Sequence, residues 1–256
     1  MAAEEPMETR LVWEEGGRTI RKSIAVTMRT PGDDFQLAAG FLHGEAIIRS
    51  FEDVEDVSYC LEGAEPQALN IVSVTLRPGL RFDAARLERN FYTTSSCGVC
   101  GKAAMESLQI VGCEALAPSS FRVRADALLE FPRRLRDGQE TFSRTGGLHA
   151  AGLFDAAGRL LDLREDVGRH NALDKLVGHC LMKDDLPLVD RVLLLSGRAS
   201  FELVQKALAA RIPVVASVGA PSSLAVEVAE AFHITLVGFL GPEGFNVYSA
   251  PERIER

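Results

Sequence analysis

Two cysteines three positions apart, Cys97 and Cys100, lie in the run Thr93-Thr94-Ser95-Ser96-Cys97-Gly98-Val99-Cys100-Gly101-Lys102. Just downstream, residues 102–110 combine helix formers with the apolar spacing of a short amphipathic helix, which Gly112 ends. A thiol placed just before a helix N-terminus feels the positive end of the backbone dipoles. Lys102 adds a formal positive charge nearby. Both effects favour thiolate and draw a cysteine below its free pKa of about 8.5. Gly98 and Gly101 leave the backbone free to turn the sulfur toward more than one partner. The stretch therefore reads as a mobile loop carrying a nucleophilic sulfur.

The same spacing also suits half of a zinc site, a redox disulfide or two inert thiols. A four-cysteine structural zinc site needs a second knuckle, and Cys60, Cys113 and Cys180 are single and far apart. No metal ligand set is expected. Zinc deaminases pair H-x-E with a later P-C-x-x-C. Here His149-Ala150-Ala151 lacks the glutamate, and the cysteine pair precedes the histidine with no proline ahead of it.

Other polar clusters could handle anions. Ser196-Gly197-Arg198-Ala199-Ser200 and Ser217-Val218-Gly219-Ala220-Pro221-Ser222-Ser223 each follow a short apolar run, offering backbone N–H groups and hydroxyls to a phosphate or merely capping a helix. Arg164-Glu165-Asp166-Val167-Gly168-Arg169-His170-Asn171 reads either as a solvated helix start or as a phosphate contact through guanidinium. His149 opens a strand after the turn Thr145-Gly146-Gly147, and no histidine belongs to an HxxxH or HExxH pattern.

These groups need elements to hold them. The 256 residues can bury a substantial core, and 46% hydrophobic with 25% charged residues is ordinary for a soluble protein. A net charge of −8 argues against broad contact with nucleic acid or anionic membranes. The acidic opening is no secretory signal, no apolar run is long enough to span a membrane, and five cysteines without framework spacing fit a reducing cytoplasm.

Strands are expected at 9–13 and 19–28 around the turn Glu15-Gly16-Gly17, although Ile20, Lys22, Ile24 and Val26 alternate only partly. A helix at 35–42 follows the break Pro31-Gly32-Asp33-Asp34, with strands at 54–61 and 69–76 and a short helix at 83–90. After Pro118-Ser119-Ser120 the spacing predicts a helix over 125–136 interrupted by Pro132, then strands at 148–154 and 160–164 about Asp155–Gly158. A helix over 167–182 leads to the alternation strand 192–195, helix 201–210, strand 214–218, helix 224–232, strand 234–239. That order predicts parallel neighbours covered by helices. The expected architecture is α/β in two domains, 1–117 smaller and α+β, ending in the CxxC loop and its helix, and 118–256 a strand–helix domain.

Four segments together, Ser95–Gly101, Thr145–Ala151, Arg164–Lys175 and Leu195–Arg198, in this order and with Thr235–Phe239 near the end, resemble the FdhD/NarQ family. The long Arg164–Lys175 run is its specific part. The resemblance implies a sulfur carrier, or sulfurtransferase, required for formate dehydrogenase activity, with a cytidine-deaminase-like three-layer α/β/α fold for the C-terminal domain. It implies that persulfide sulfur from a cysteine desulfurase passes to a molybdenum bis-(molybdopterin guanine dinucleotide) cofactor, which GDP would mimic. Cys97 would carry the persulfide and Cys100 would assist. The family's cofactor segment maps onto Phe239, Leu240, Gly241, Pro242, Glu243 and Gly244, where relatives usually carry arginines. Arg169, Ser196 and Arg198 would compensate. Two guanine nucleotides per cofactor suggest a homodimer. A thioredoxin-like oxidoreductase, a cofactor chaperone without chemistry and a zinc-binding module are the rival readings.

Overall fold

The structure is a computed structural model describing residues 1–60, 69–80, 82 and 114–255. In chain order, β1 (Glu5–Glu15) and β2 (Arg18–Arg29) precede α1 (Asp34–Gly44), β3 (Val54–Tyr59) and β4 (Ile71–Leu76). Next come β5 (Val123–Arg124), α2 (Ala125–Gly138), α3 (Glu140–Thr145), β6 (His149–Phe154), β7 (Leu160–Asp166) and α4 (Arg169–Met182). The chain ends with β8 (Val192–Leu195), α5 (Phe201–Ala209), β9 (Val214–Ser217), α6 (Ser223–Ala231), β10 (Thr235–Gly241), β11 (Gly244–Ser249) and β12 (Ile254–Glu255).

The first sheet has the order β2-β1-β4-β3, with β1 antiparallel to β2 and parallel to β4. Met7, Leu11 and Trp13 from β1 and Val72, Val74 and Leu76 from β4 face Leu37, Ala38 and Leu42 of α1. A bulge opposite Thr9/Arg10 explains the imperfect alternation in β2. Thr9 pairs with Ala25 and Arg10 with Ser23, so Ile24 is the extra residue. Beyond it the parity flips: Ile24 is buried while Val26 and Met28 face solvent.

The second sheet runs β11-β10-β9-β8-β6-β7, with β8, β9 and β10 parallel. Successive side chains of these strands point to opposite faces. Leu193, Leu195, Val215 and Leu236 pack against α4, α5 and α6, whereas Val192, Leu194, Val214, Ala216 and Val237 pack against Phe131 and Leu135 of α2. The result is a mixed α/β fold with helices on both faces of its larger sheet.

α2 continues unbroken through Pro132. Proline in a helix interior costs about 3 kcal/mol, but Leu128, Phe131 and Leu135 on either side are all buried against the sheet. Burying such side chains is worth about 1.5–3 kcal/mol each, enough to keep the helix whole. β11 pairs antiparallel with β10 and was not expected, because Gly244-Phe245-Asn246-Val247-Tyr248 lacks a simple two-residue alternation.

The two sheets meet through α1 and α4. A Cβ on Gly40 would lie 1.9 Å from the Asp174 carbonyl oxygen, and one on Gly178 would lie 1.9 Å from that of Gln36. Only glycine at both positions lets the two backbones cross this closely.

Candidate functional site

The carboxyl ends of β8, β9 and β10 bring three turns side by side. Ser196 exchanges two bonds with Ala150, its backbone N–H donating to the Ala150 carbonyl at 3.0 Å and its hydroxyl accepting the Ala150 N–H at 2.8 Å. Next along the edge, the Gly219 N–H donates to the Gly197 carbonyl at 2.8 Å, and the Phe239 N–H to the Gly219 carbonyl at 3.1 Å. A Cβ on Gly219 would stand 3.0 Å from Arg198 Cγ and from the Gly197 oxygen. Such close packing is what the glycines in both turns provide.

Phe239 sits at φ 54°, a left-handed conformation unusual for a bulky side chain. A register shift in the β10–β11 ladder begins after Gly238. Phe239 is consequently turned outward, 52% exposed, while Leu240 is 1% exposed in the core against α2. The expected segment 239–244 is therefore the end of β10, a tight turn at Pro242-Glu243 and the first residue of β11, rather than a loop after a finished strand. Of these six residues Phe239 reaches the Gly219 turn through its backbone N–H, whereas the Leu240 side chain is occupied in the core.

Ser222 and Ser200 divide the two readings of the serine-rich turns. The Ser222 hydroxyl accepts the Ala225 N–H at 3.2 Å, an ordinary helix cap. Ser200 makes no side-chain cap, and its hydroxyl lies 3.3 Å from His170 Nε2. That ring nitrogen is also 3.4 Å from Glu202 Oε2. Burial, with the nearby Arg169, Lys206 and His149, lowers His170 below the ordinary histidine value, and Glu202 opposes the shift. His149 is lowered by burial and then by Arg169, and a Cβ on Gly197 would stand 3.3 Å from its Nδ1. Arg169 Nε is buried without a hydrogen-bond partner. Arg198 is exposed.

Asp166, Asn171 and Lys175 of the run Arg164–Lys175 face the end of β2 and are bonded to it and to one another. Asp166 pairs with Lys175 at 2.7 Å and accepts N–H groups from Thr30, Gly168 and the Asn171 side chain. Lys175 donates to the Thr30 carbonyl at 2.8 Å, and Asn171 to that of Met28, also at 2.8 Å. These side chains grip the end of β2, so a charge run that could pass for a solvated helix start is largely a buried latch. At the same strand end, Arg29 makes a two-pronged pair with Asp34 at 3.0 and 2.9 Å. Asp34 is thus held by Arg29, and α1 begins from Asp33 at φ 55° without a side-chain cap.

Sequence reading passed over a third polar group. Lys206 Nζ lies 2.8 and 3.0 Å from the Asp174 carboxylate and 3.9 Å from Glu202, linking α4 to α5 beneath the site. Burial pushes the Asp174 carboxyl up to about 7, and the Lys206 ammonium offsets part of that shift. The signal was a lone lysine on the apolar stripe Leu203, Ala207, Leu208 of α5, a position that demands a buried partner.

Cys97, Cys100 and Cys113, with Lys102 and the helices expected at 83–90 and 102–110, lie outside the described residues. Of the other thiols, Cys180 is buried and pushed up to about 12, which makes it a poor nucleophile. Cys60 is half-buried and receives a contact from Arg10 at 3.5 Å. Among the described residues no group of three or more His, Cys, Asp or Glu is arranged to hold a metal ion, and no helix is long and apolar enough to cross a membrane.

Comparison with known proteins places this geometry. The sequence is 51% identical to sulfur carrier protein FdhD of Streptomyces coelicolor, covering 99% of this chain and 88% of that one. It is 40% identical to the protein of the same name from Saccharolobus solfataricus, covering 99% and 90%. A crystal structure from Desulfotalea psychrophila, described as a formate dehydrogenase accessory protein, superposes with a TM-score of 0.71 at 28% identity, covering 99% and 90%. Residues 5–255 match the FdhD/NarQ family, and the chain belongs to that family.

Proposed function

We propose that this protein is a sulfurtransferase that carries persulfide sulfur for the maturation of formate dehydrogenase, with Cys97 as the carrier. The observation that carries the reading is the match, over 99% of this chain, to proteins named sulfur carrier protein FdhD. The cysteine pair in its glycine-rich setting supplies the chemistry.

In the first step the Cys97 thiolate attacks the outer sulfur of a persulfide on a cysteine desulfurase. The donor's S–S bond breaks, the donor leaves as thiolate, and Cys97 holds the new S–S bond. Cys100 is the resolving thiol. Its attack on Cys97 Sγ releases hydrosulfide and closes a Cys97–Cys100 disulfide, the two thiols supplying the electrons; a thiol reductant then reopens the pair. The released sulfur is destined for the substrate, a molybdenum bis-(molybdopterin guanine dinucleotide) cofactor.

The edge formed by Ser196, Arg198, Arg169 and Phe239–Gly244 is our candidate surface for that cofactor. Arg169 supplies charge, and the exposed Phe239 supplies an aromatic face of the kind on which a nucleobase stacks. Pro242 and Glu243 add no positive charge, so the turn contributes backbone and shape. We assign residues 1–117 to a domain presenting the CxxC loop and 118–256 to a cytidine-deaminase-like cofactor domain, working as a homodimer in the cytoplasm.

Replacing Cys97 with Ser in a strain dependent on this protein tests the reading. The expected outcome is loss of formate dehydrogenase activity with the protein still folded and abundant. Full activity in that strain would leave the chaperone reading in its place.

A further inference from the structure

Large apolar side chains left in water gather at one end of the first sheet. Val26 is 69% exposed, Leu69 58% and Met28 47%. The ladder sets them side by side, Met28 opposite Pro6 and Val26 opposite Glu8, with Ile71 on the other side of Glu8. Residues two apart share a face of a strand, so Leu69, two before Ile71, lines up beyond Pro6. Met7, Arg29 and Val72, at the alternate positions, are buried on the opposite face toward α1. The bulge at Ile24 creates this row, because without the extra residue Val26 and Met28 would point toward α1 as well. Among the described residues none of the three belongs to a hydrophobic core. Single exposed apolar residues are ordinary, but a contiguous group on one sheet face marks a surface that something covers.

Two contacts place that row beside the carboxyl edge of the second sheet. The Asn171 amide donates to the Met28 carbonyl at 2.8 Å, two residues along α4 from Arg169. A Cβ on Gly147, in the turn before His149, would stand 3.6 Å from the Ala2 side chain. The border of the row is acidic. Glu4 and Glu5 lead into it, and Glu8 stands beside Val26 with its carboxylate 3.0 Å from Arg10.

We propose that Val26, Met28, Pro6 and Leu69 form the docking surface for the protein that receives the cofactor, and that they take an apolar side chain flanked by Lys or Arg. The inference rests on the proposed function, which supplies a recipient, and adds where that recipient sits. Continuity with the candidate cofactor edge selects this occupant, since a protein seated on the row is held beside its cargo. The acidic border complements a basic flank and repels an acidic one. A second copy fits worse. A two-fold contact sets the same patch against itself, so Glu4, Glu5 and Glu8 would meet a border of their own sign. Four side chains also fall short of the roughly 800 Å² that each partner buries in a stable complex. That suits a recipient that docks and leaves.

The test is biolayer interferometry on the immobilised full chain, with cofactor-free formate dehydrogenase as the probe. Val26→Ser, Met28→Ser and Leu69→Ser combined should weaken binding by about tenfold or more. Raising salt from about 0.05 to 0.5 M should slow association with the wild type. All three side chains are exposed, so the urea midpoint and sulfur loading of Cys97 should not move. A second measurement needs no variant: in the wild type the probe should shield Met28 from peroxide oxidation, read by peptide mass. Neither the desulfurase nor a higher concentration of the protein itself should do so. Unchanged affinity in the triple variant, or Met28 oxidised equally with and without the probe, would overturn the proposal. Shielding of Met28 by the desulfurase, or a dimer that the triple variant dissolves in sedimentation, would overturn it in favour of that occupant. If Cys97 takes up sulfur while this docking fails, this inference alone is lost; docking through the row without sulfur on Cys97 removes only the sulfur-carrier reading.

Discussion

The run Arg164–Lys175 faces two regions, and they treat charge in opposite ways. Toward the first sheet, Asp166, Asn171 and Lys175 are buried and bonded to each other and to the end of β2. Toward the edge of the second sheet, Arg169 has a buried nitrogen with no partner. Paired charges of the first kind hold elements together, whereas Arg169, with no ion pair among the described residues, leaves its charge available at our candidate surface. One helix start thus supplies both the fastening and the candidate site, so the site is registered against the N-terminal sheet.

Breaking the paired side gives the largest expected effect. Lys175→Met leaves the Asp166 carboxylate buried without its cation, and the loss should be about 3–5 kcal/mol of unfolding free energy in a urea titration. A change below about 1 kcal/mol would mean that the N–H groups around Asp166 suffice alone. At the other end of the scale, Arg169→Gln removes a half-exposed cation that makes no ion pair among the described residues, and its unfolding free energy should stay within about 0.5 kcal/mol of the wild type. A loss comparable to that of Lys175→Met would show that both sides are structural and erase the contrast.

Much of the fold was legible because periodicity and burial agree. Val192–Leu195 is an uninterrupted apolar run, buried on both faces of a central strand, and the strand spans that run from first residue to last. The Gly16-Gly17 turn and the parallel β8-β9-β10 order were equally plain. Reading failed where one local irregularity resets the pattern. The bulge at Ile24 reverses which side of β2 is buried, and the shift at Phe239 hides a continuing strand and its partner β11. Neither leaves a mark in composition. Arg169, Ser196, Arg198 and Phe239 stand out by residue type, and the fold sets them along one edge of the second sheet, where their shared role is our proposal. The wiring beside them was not legible: whether Asp166 is solvated or latched depends on Thr30 at the end of β2, 136 residues away in sequence.

The account rests on sulfur held at one cysteine, and intact-mass analysis reads that directly. After incubation with a cysteine desulfurase and cysteine, the protein should gain the mass of one sulfur atom, mapped to Cys97 and removed by a thiol reductant. An unchanged mass under conditions where the desulfurase itself is loaded, or equal gain in Cys97→Ser, would contradict it.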